Sequence, residues 1–185
     1  MFTFLLAELP HLDLNQPPPL SLAEFDETVE CAMIPCDYRR QLALYDGSVK
    51  VDPQSSCDYP EIFRKYLDFE RFLRTCIAGI RSRKLGKEIS LPETENYYHY
   101  AAVALDAAAA VKDPLEREKI VDNLRWNAVD EIAAGCEFDF NALCAYKIKL
   151  VLLCSRRHRN RETGLAAFNS ALESKISHDS VKINQ

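Results

Sequence analysis

Apolar residues recur along most of this chain at three- and four-residue spacing, the period of an α-helix that buries one face. The pattern is strongest between residues 61 and 85. There Ile62, Tyr66, Phe69, Leu73, Cys76 and Ile80 form a stripe that Phe63, Phe72 and Ile77 widen. Asp58 and Glu61 mark the start of that helix, and Gly86 suits its end because glycine readily takes the left-handed conformation found there. A second helix is predicted from Pro114 to about Ala134. Asp113 can cap it, proline fits its first turn, Glu116 follows three residues after the cap, and Gly135 closes it. Leu115, Val121, Leu124, Ala128 and Ile132 make its inner stripe, with Trp126 as a packing anchor or an interface residue. A third helix, "FDFNALCAYKIKLVLLCSRRHRN", opens with Asp139 as N-cap. It is almost continuously apolar from Ala142 to Cys154, which predicts a central place in the fold.

Shorter elements fill the rest. Ser21 and Glu24 open "SLAEFDETVECAM" as a capping box, in which each satisfies a backbone N–H near the other; this helix runs to about Met33 and Pro35 stops it. A short helix is expected from Tyr38 to Leu44, closed by "DGS". "YYHYAAVALDAAAAV" combines high helix propensity with small residues that allow close helix approach, and "ETGLAAFNSALESKI" is the last predicted helix. Phe2 to Leu6 is too short to assign, so strand and buried helix both stay open, while the prolines of "NQPPPL" make an extended connector. Hardly any run alternates as a strand would. The expected fold is all-α, a compact bundle of about six or seven helices. It forms one domain over residues 1–176, divisible into lobes of about 1–90 and 91–176, before a polar tail at 177–185.

Composition narrows the function classes. The chain has 185 residues, 48% of them hydrophobic, enough to bury a core without disulfides or metals. Only 5 glycines argue against Gly-rich phosphate cradles and turn-rich sheets. A net charge of −5 disfavours a general nucleic-acid binder. That charge is blocked: residues 58–91 carry 8 bases and 5 acids, and residues 92–142 carry 11 acids and 4 bases. Such blocks can be solvated helix faces or patches for a partner. Seven cysteines without close pairs indicate a reducing compartment. The start lacks a basic region and is interrupted by Glu8 and Pro10, so neither a signal peptide nor a membrane span is expected, and the expected location is cytoplasmic.

Candidate chemistry is sparse. His99 in "YYHY" reads as a surface or satisfied core histidine. Cys154 and His158 have the i, i+4 spacing of two metal ligands, but no second pair accompanies them, so no metal or cofactor is expected. Asp113, Glu116, Asp58, Glu61 and Glu24 stand at helix starts, where carboxylates favour the positive end of the dipole. Glu70 and Arg74 form an i, i+4 pair worth a few tenths of a kcal/mol. Two basic clusters, "RSRKLGK" (81–87) and "RRHRNR" (156–161), fall at helix ends, where cations offset the negative dipole terminus. Their functional reading is docking on an acidic protein surface. The candidate contacts are Arg71, Arg74, Arg81, Arg83 and Lys84, and Arg156, Arg157, Arg159 and Arg161. No aromatic is interleaved with either cluster, which weakens base stacking. An enzyme would need a site assembled in space around His99, Tyr98 or Cys154.

The segments "FTFLLAELPHL", "PPPLSLAEF", "YLDFERFLRTCIAGIRSRKLGKEI", "DPLEREKIVDNLRWNAVDEI" and "FDFNALCAYKIKLVLL" occur in that order. In this they resemble a bacterial family of unknown function encoded among the subunits of V-type (A/V-type) rotary ATPases. That family is more distantly similar to the C-subunit of these ATPases (the d-subunit in eukaryotes), a funnel-like helical adaptor between the central stalk and the membrane ring. The resemblance spans most of residues 1–172 and rests on the order and character of the segments. It implies a non-enzymatic helical subunit, or an accessory or assembly factor, coupling or scaffolding by contacts with ATPase subunits on the central-stalk or membrane-ring side. Its place would be peripheral to the inner membrane through that complex. The funnel-like adaptor has three similar helical units, and this chain has room for one or two. The alternative reading is a small helical nucleic-acid-binding or regulatory module that uses the 156–161 cluster.

Overall fold

A computed structural model describes residues 2–47, 59–87, 98–157, 164–167 and 169–170. All regular structure among the described residues is helical, as the periodicity predicts. The helices are α1 (Phe2–Glu8), α2 (Leu22–Cys31), α3 (Cys36–Ala43), α4 (Glu61–Lys84), α5 (His99–Ala110), α6 (Pro114–Ile132) and α7 (Phe140–Arg157). Residues 164–167 and 169–170 are also helical. The undecided N-terminal segment is therefore a helix, α1, with Leu5 buried.

Local chemistry fixes most helix ends where expected. At α2 the Glu24 N–H donates to Ser21 Oγ at 3.2 Å, and the Ser21 N–H donates to Glu24 Oε2 at 2.6 Å. Those donors hold the Glu24 carboxyl below its usual range, the backbone N–H of Ser21 foremost. Asp113 Oδ1 accepts from the Leu115 N–H at 2.9 Å and Asp139 Oδ1 from the Ala142 N–H at 2.9 Å, so both predicted caps form. Pro60 precedes the first turn of α4, and Asp58 lies outside the described residues. Met33 follows α2 with φ 53°, a left-handed conformation unusual for a residue with a side chain, and is 88% exposed.

The core lies around α7, as its apolar run predicts. This helix packs against α1, α2, α3, α4 and α6, and buries Leu143, Cys144, Ile148 and Leu150–Leu153 among others. Contacts therefore cross residue 90 from both sides. The α4 stripe supplies the other half of the core, with Ile62, Phe63, Tyr66, Phe69, Phe72 and Leu73 buried. Each such side chain contributes about 1.5–3 kcal/mol through removal from water. Leu115 departs from the expected inner stripe of α6: it is 38% exposed, because the first turn of that helix extends past the neighbours that bury Val121, Leu124 and Ala128.

Side-chain contacts give the helix directions. Tyr98 meets Phe69 and Phe72 with ring centroids 5.0 and 5.6 Å apart. Farther along, Arg83 Nη2 reaches Asp106 Oδ1 at 2.6 Å and Lys84 Nζ donates to the Ala109 carbonyl at 2.5 Å. Helix α5 thus runs in the same direction as α4. Helix α6 returns antiparallel, with Tyr100 donating to Glu131 Oε2 at 3.0 Å across its far end. Helix α7 then runs back along α6, where Lys149 pairs with Asp130 and lies 4.7 Å over the Trp126 ring. Trp126 is partly buried against the core.

A buried charge network and the groove beside it

Helices α4 and α6 are tied by ionic groups that periodicity alone does not reveal. Glu70 lies on the buried face of α4 and is only 3% exposed. Its Oε1 accepts from Arg125 Nε of α6 at 2.6 Å and from the Tyr66 hydroxyl at 3.0 Å. Arg125 Nη1 also reaches Asp122 Oδ1 at 3.4 Å, and Asp122 is itself buried. Burial disfavours the Arg125 charge, but the hydrogen bond and charge of Glu70 outweigh it and hold the guanidinium firmly protonated. Burial first, and then Glu70, push the neighbouring Tyr45 hydroxyl far above its ordinary range. Arg74, the expected i, i+4 partner of Glu70, sits 3.9 Å from Oε2 as the outer member of this cluster. The pair read from i, i+4 spacing is thus the edge of a buried network.

Beyond Leu73 the covering of α4 thins. Cys76, Ile77 and Ile80 are partly buried, and Leu85 is 70% exposed. An open groove of about 510 Å³ lies here. One wall is a face of α4 formed by Arg74, Ile77, Ala78, Arg81, Ser82 and Leu85. The facing wall is Glu118, Val121 and Arg125 of α6, and Lys87 closes the end. Lys87 is placed by the way α4 stops. Gly86, at φ 63°, turns the chain so that its N–H meets the Arg83 carbonyl at 3.2 Å, and the Lys87 N–H meets the Ser82 carbonyl at 3.1 Å. The buried Ser82 hydroxyl donates in turn to the Lys87 carbonyl.

The candidate contact residues divide by what they touch. Arg83 and Lys84 fasten α4 to the end of α5, and Arg71 pairs with Asp68 at 2.9 Å away from the groove. Arg74 and Arg81 line the groove, and Arg81 has no ionic partner among the described residues. In the other cluster, Arg156 Nη1 donates to the Leu14 carbonyl at 2.7 Å, tying α7 to the N-terminal segment, while Arg157 is exposed. Arg159 and Arg161 lie outside the described residues, as does His158, four positions after Cys154. Cys154 is partly buried, and that burial raises its thiol above the ordinary range. Tyr98 faces the aromatic rings of α4 and His99 is exposed.

Sequence reasoning missed Arg125 and Asp122, and it read Glu70 only as the partner of Arg74 and Lys87 only as part of the 81–87 cluster. A signal for Glu70 was present, because it stands four residues from Tyr66 and three from Leu73 on the buried stripe. Among the described residues, no group of three histidine, cysteine or carboxylate side chains is arranged to hold a metal, and no helix is long and apolar enough to cross a membrane. Among the described residues, the fold and groove together define an all-α arrangement with an open surface between two helices. No known protein family matches this chain, and neither a curated protein nor a solved structure shows significant similarity to it.

Proposed function

We propose that this protein is a non-enzymatic helical adaptor, acting as a subunit or assembly factor of a V-type rotary ATPase through protein contacts. The observation that carries the docking part is the groove between α4 and α6, where a helix stripe runs on past its own covering and is rimmed by cations. The buried network of Glu70, Arg125 and Asp122 supports it, since it fixes the relative position of the two walls. A docking surface held in one shape loses less entropy when a partner binds. The choice of partner rests on the resemblance of the ordered segments to the ATPase-associated family.

The reading is tested by pulling the tagged protein from its native host across a salt series. Rotary ATPase subunits should be retained at moderate salt and released progressively as the cationic rim is screened. Recovery of nucleic acid in their place would favour the regulatory-module reading and overturn this one.

A further inference from the structure

We propose that the groove between α4 and α6 receives an acidic amphipathic helix of the partner protein. This rests on the docking reading above and specifies the chemistry of what docks.

Three observations point to such an occupant. The first is shape. Arg74, Ile77, Ala78, Arg81, Ser82 and Leu85 succeed one another by threes and ones, which places them on one face of α4. Glu118, Val121 and Arg125 occupy one face of α6 in the same way. From Arg74 to Leu85 the groove follows α4 for about 16 Å at the helical rise, roughly three turns. Two helix faces with a furrow between them present the ridges that a third helix packs against. A helix lying there would anchor side chains at i, i+3 or i+4, and i+7.

The second observation is the floor. Ile77, Ala78, Leu85 and Val121 are apolar, and Leu85 is 70% exposed. A small anion has no use for such a surface, whereas an apolar helix stripe would remove it from water. The third is charge. Arg74 and Arg125 are committed to Glu70 and Asp122. Among the described residues, Arg81 and Lys87 have no ionic partner and Glu118 is the one carboxylate lining the groove. An excess of cations at this rim, in a chain of net charge −5, selects a partner with carboxylates beside its apolar stripe.

The test places a photoreactive residue, p-benzoylphenylalanine, at Leu85 of the full chain in its native host and maps the adduct by mass spectrometry. The expected adduct is a helical segment with apolar residues at i, i+4 and i+7 and Asp or Glu on its flanks. The double substitution Arg81→Glu with Lys87→Glu should cut adduct yield by about tenfold or more, as reversal of two rim charges implies. Arg64→Glu, on the exposed side of α4 far from the groove, should leave it unchanged. Thermal unfolding checks that the variants fold, and Arg81→Gln with Lys87→Gln serves if reversal does not. The proposal is overturned by an adduct on a basic or uncharged segment, on nucleic acid, on lipid or within this chain. No adduct, or a yield indifferent to the reversal, overturns it equally. An acidic helix from a protein outside the rotary ATPase would keep the groove chemistry and sink the ATPase assignment.

Discussion

Glu70 is the residue on which the joint between α4 and α6 turns. A buried carboxylate is tolerable only while its partners remain, and losing one leaves uncompensated charge worth about 3–5 kcal/mol. Glu70→Ala should therefore lower unfolding free energy by up to roughly that amount in urea titration, and adding Arg125→Met should deepen the loss, because the buried Asp122 then loses its cation. If the double variant is as stable as the parent, the network is not the source of the effect. This residue also shows what a sequence conceals. Spacing along α4 pairs Glu70 with Arg74, whereas its strongest partner lies 55 residues away on another helix. Met33 tests the opposite case, a strain with no burial to justify it. Because it holds a left-handed conformation while almost fully exposed, Met33→Gly should gain about 1 kcal/mol in the same assay.

At the scale of elements, punctuation was legible and depth was not. Ser21, Asp113 and Asp139 cap the helices they were expected to cap, because capping depends only on residues within one turn. How far each stripe is covered depends on distant helices, so Leu115 emerges exposed and Leu85 marks the groove. Lys147 makes the same point within α7. Its charge is buried, 3.4 Å from Asp26 and 6.0 Å over the Phe25 ring, in a run that reads as continuously apolar. Tyr146, one position earlier, donates to the Pro10 carbonyl at 2.8 Å and fastens the N-terminal segment to this helix. Burial pushes its hydroxyl up to about 12, against about 10 in an unfolded chain. Between those values the folded state holds a proton that the unfolded state has released, so stability falls as pH rises. Urea titrations from about pH 9 to 12 should show a shallower loss for Tyr146→Phe than for the parent, and equal slopes would remove Tyr146 as the cause.

Across the described residues, α7 is the element against which α1, α2, α3, α4 and α6 all pack. Even the loop after α3 is fitted to it. Gly47 has φ 82°, and a Cβ placed there would come 2.6 Å from Val151 Cγ1. Gly47→Ala combines an unfavourable backbone with overpacking and should cost at least about 2 kcal/mol, seen as a lowered unfolding midpoint. A near-neutral result would mean that the loop can lift away from α7. The all-α class was readable because each helix carries its own period. The groove was not, because it lies between α4 and α6 and neither helix contains it alone.

The reach of α7 also sets an order in time. The carbonyls of Pro10 and Leu14 are bound by Tyr146 and Arg156, 136 and 142 residues farther on. On a ribosome adding about 5–20 residues per second, the first helix emerges roughly 7–30 s before the side chains that hold its segment in place. Through that interval Leu5, Leu9, Leu12 and Leu14, all buried in the finished fold, wait without their final neighbours. Nascent chains stalled before α7 should therefore be cut near their N-terminus by a gentle protease that spares the released protein. The seventh helix along the chain is the one that lets the first come to rest.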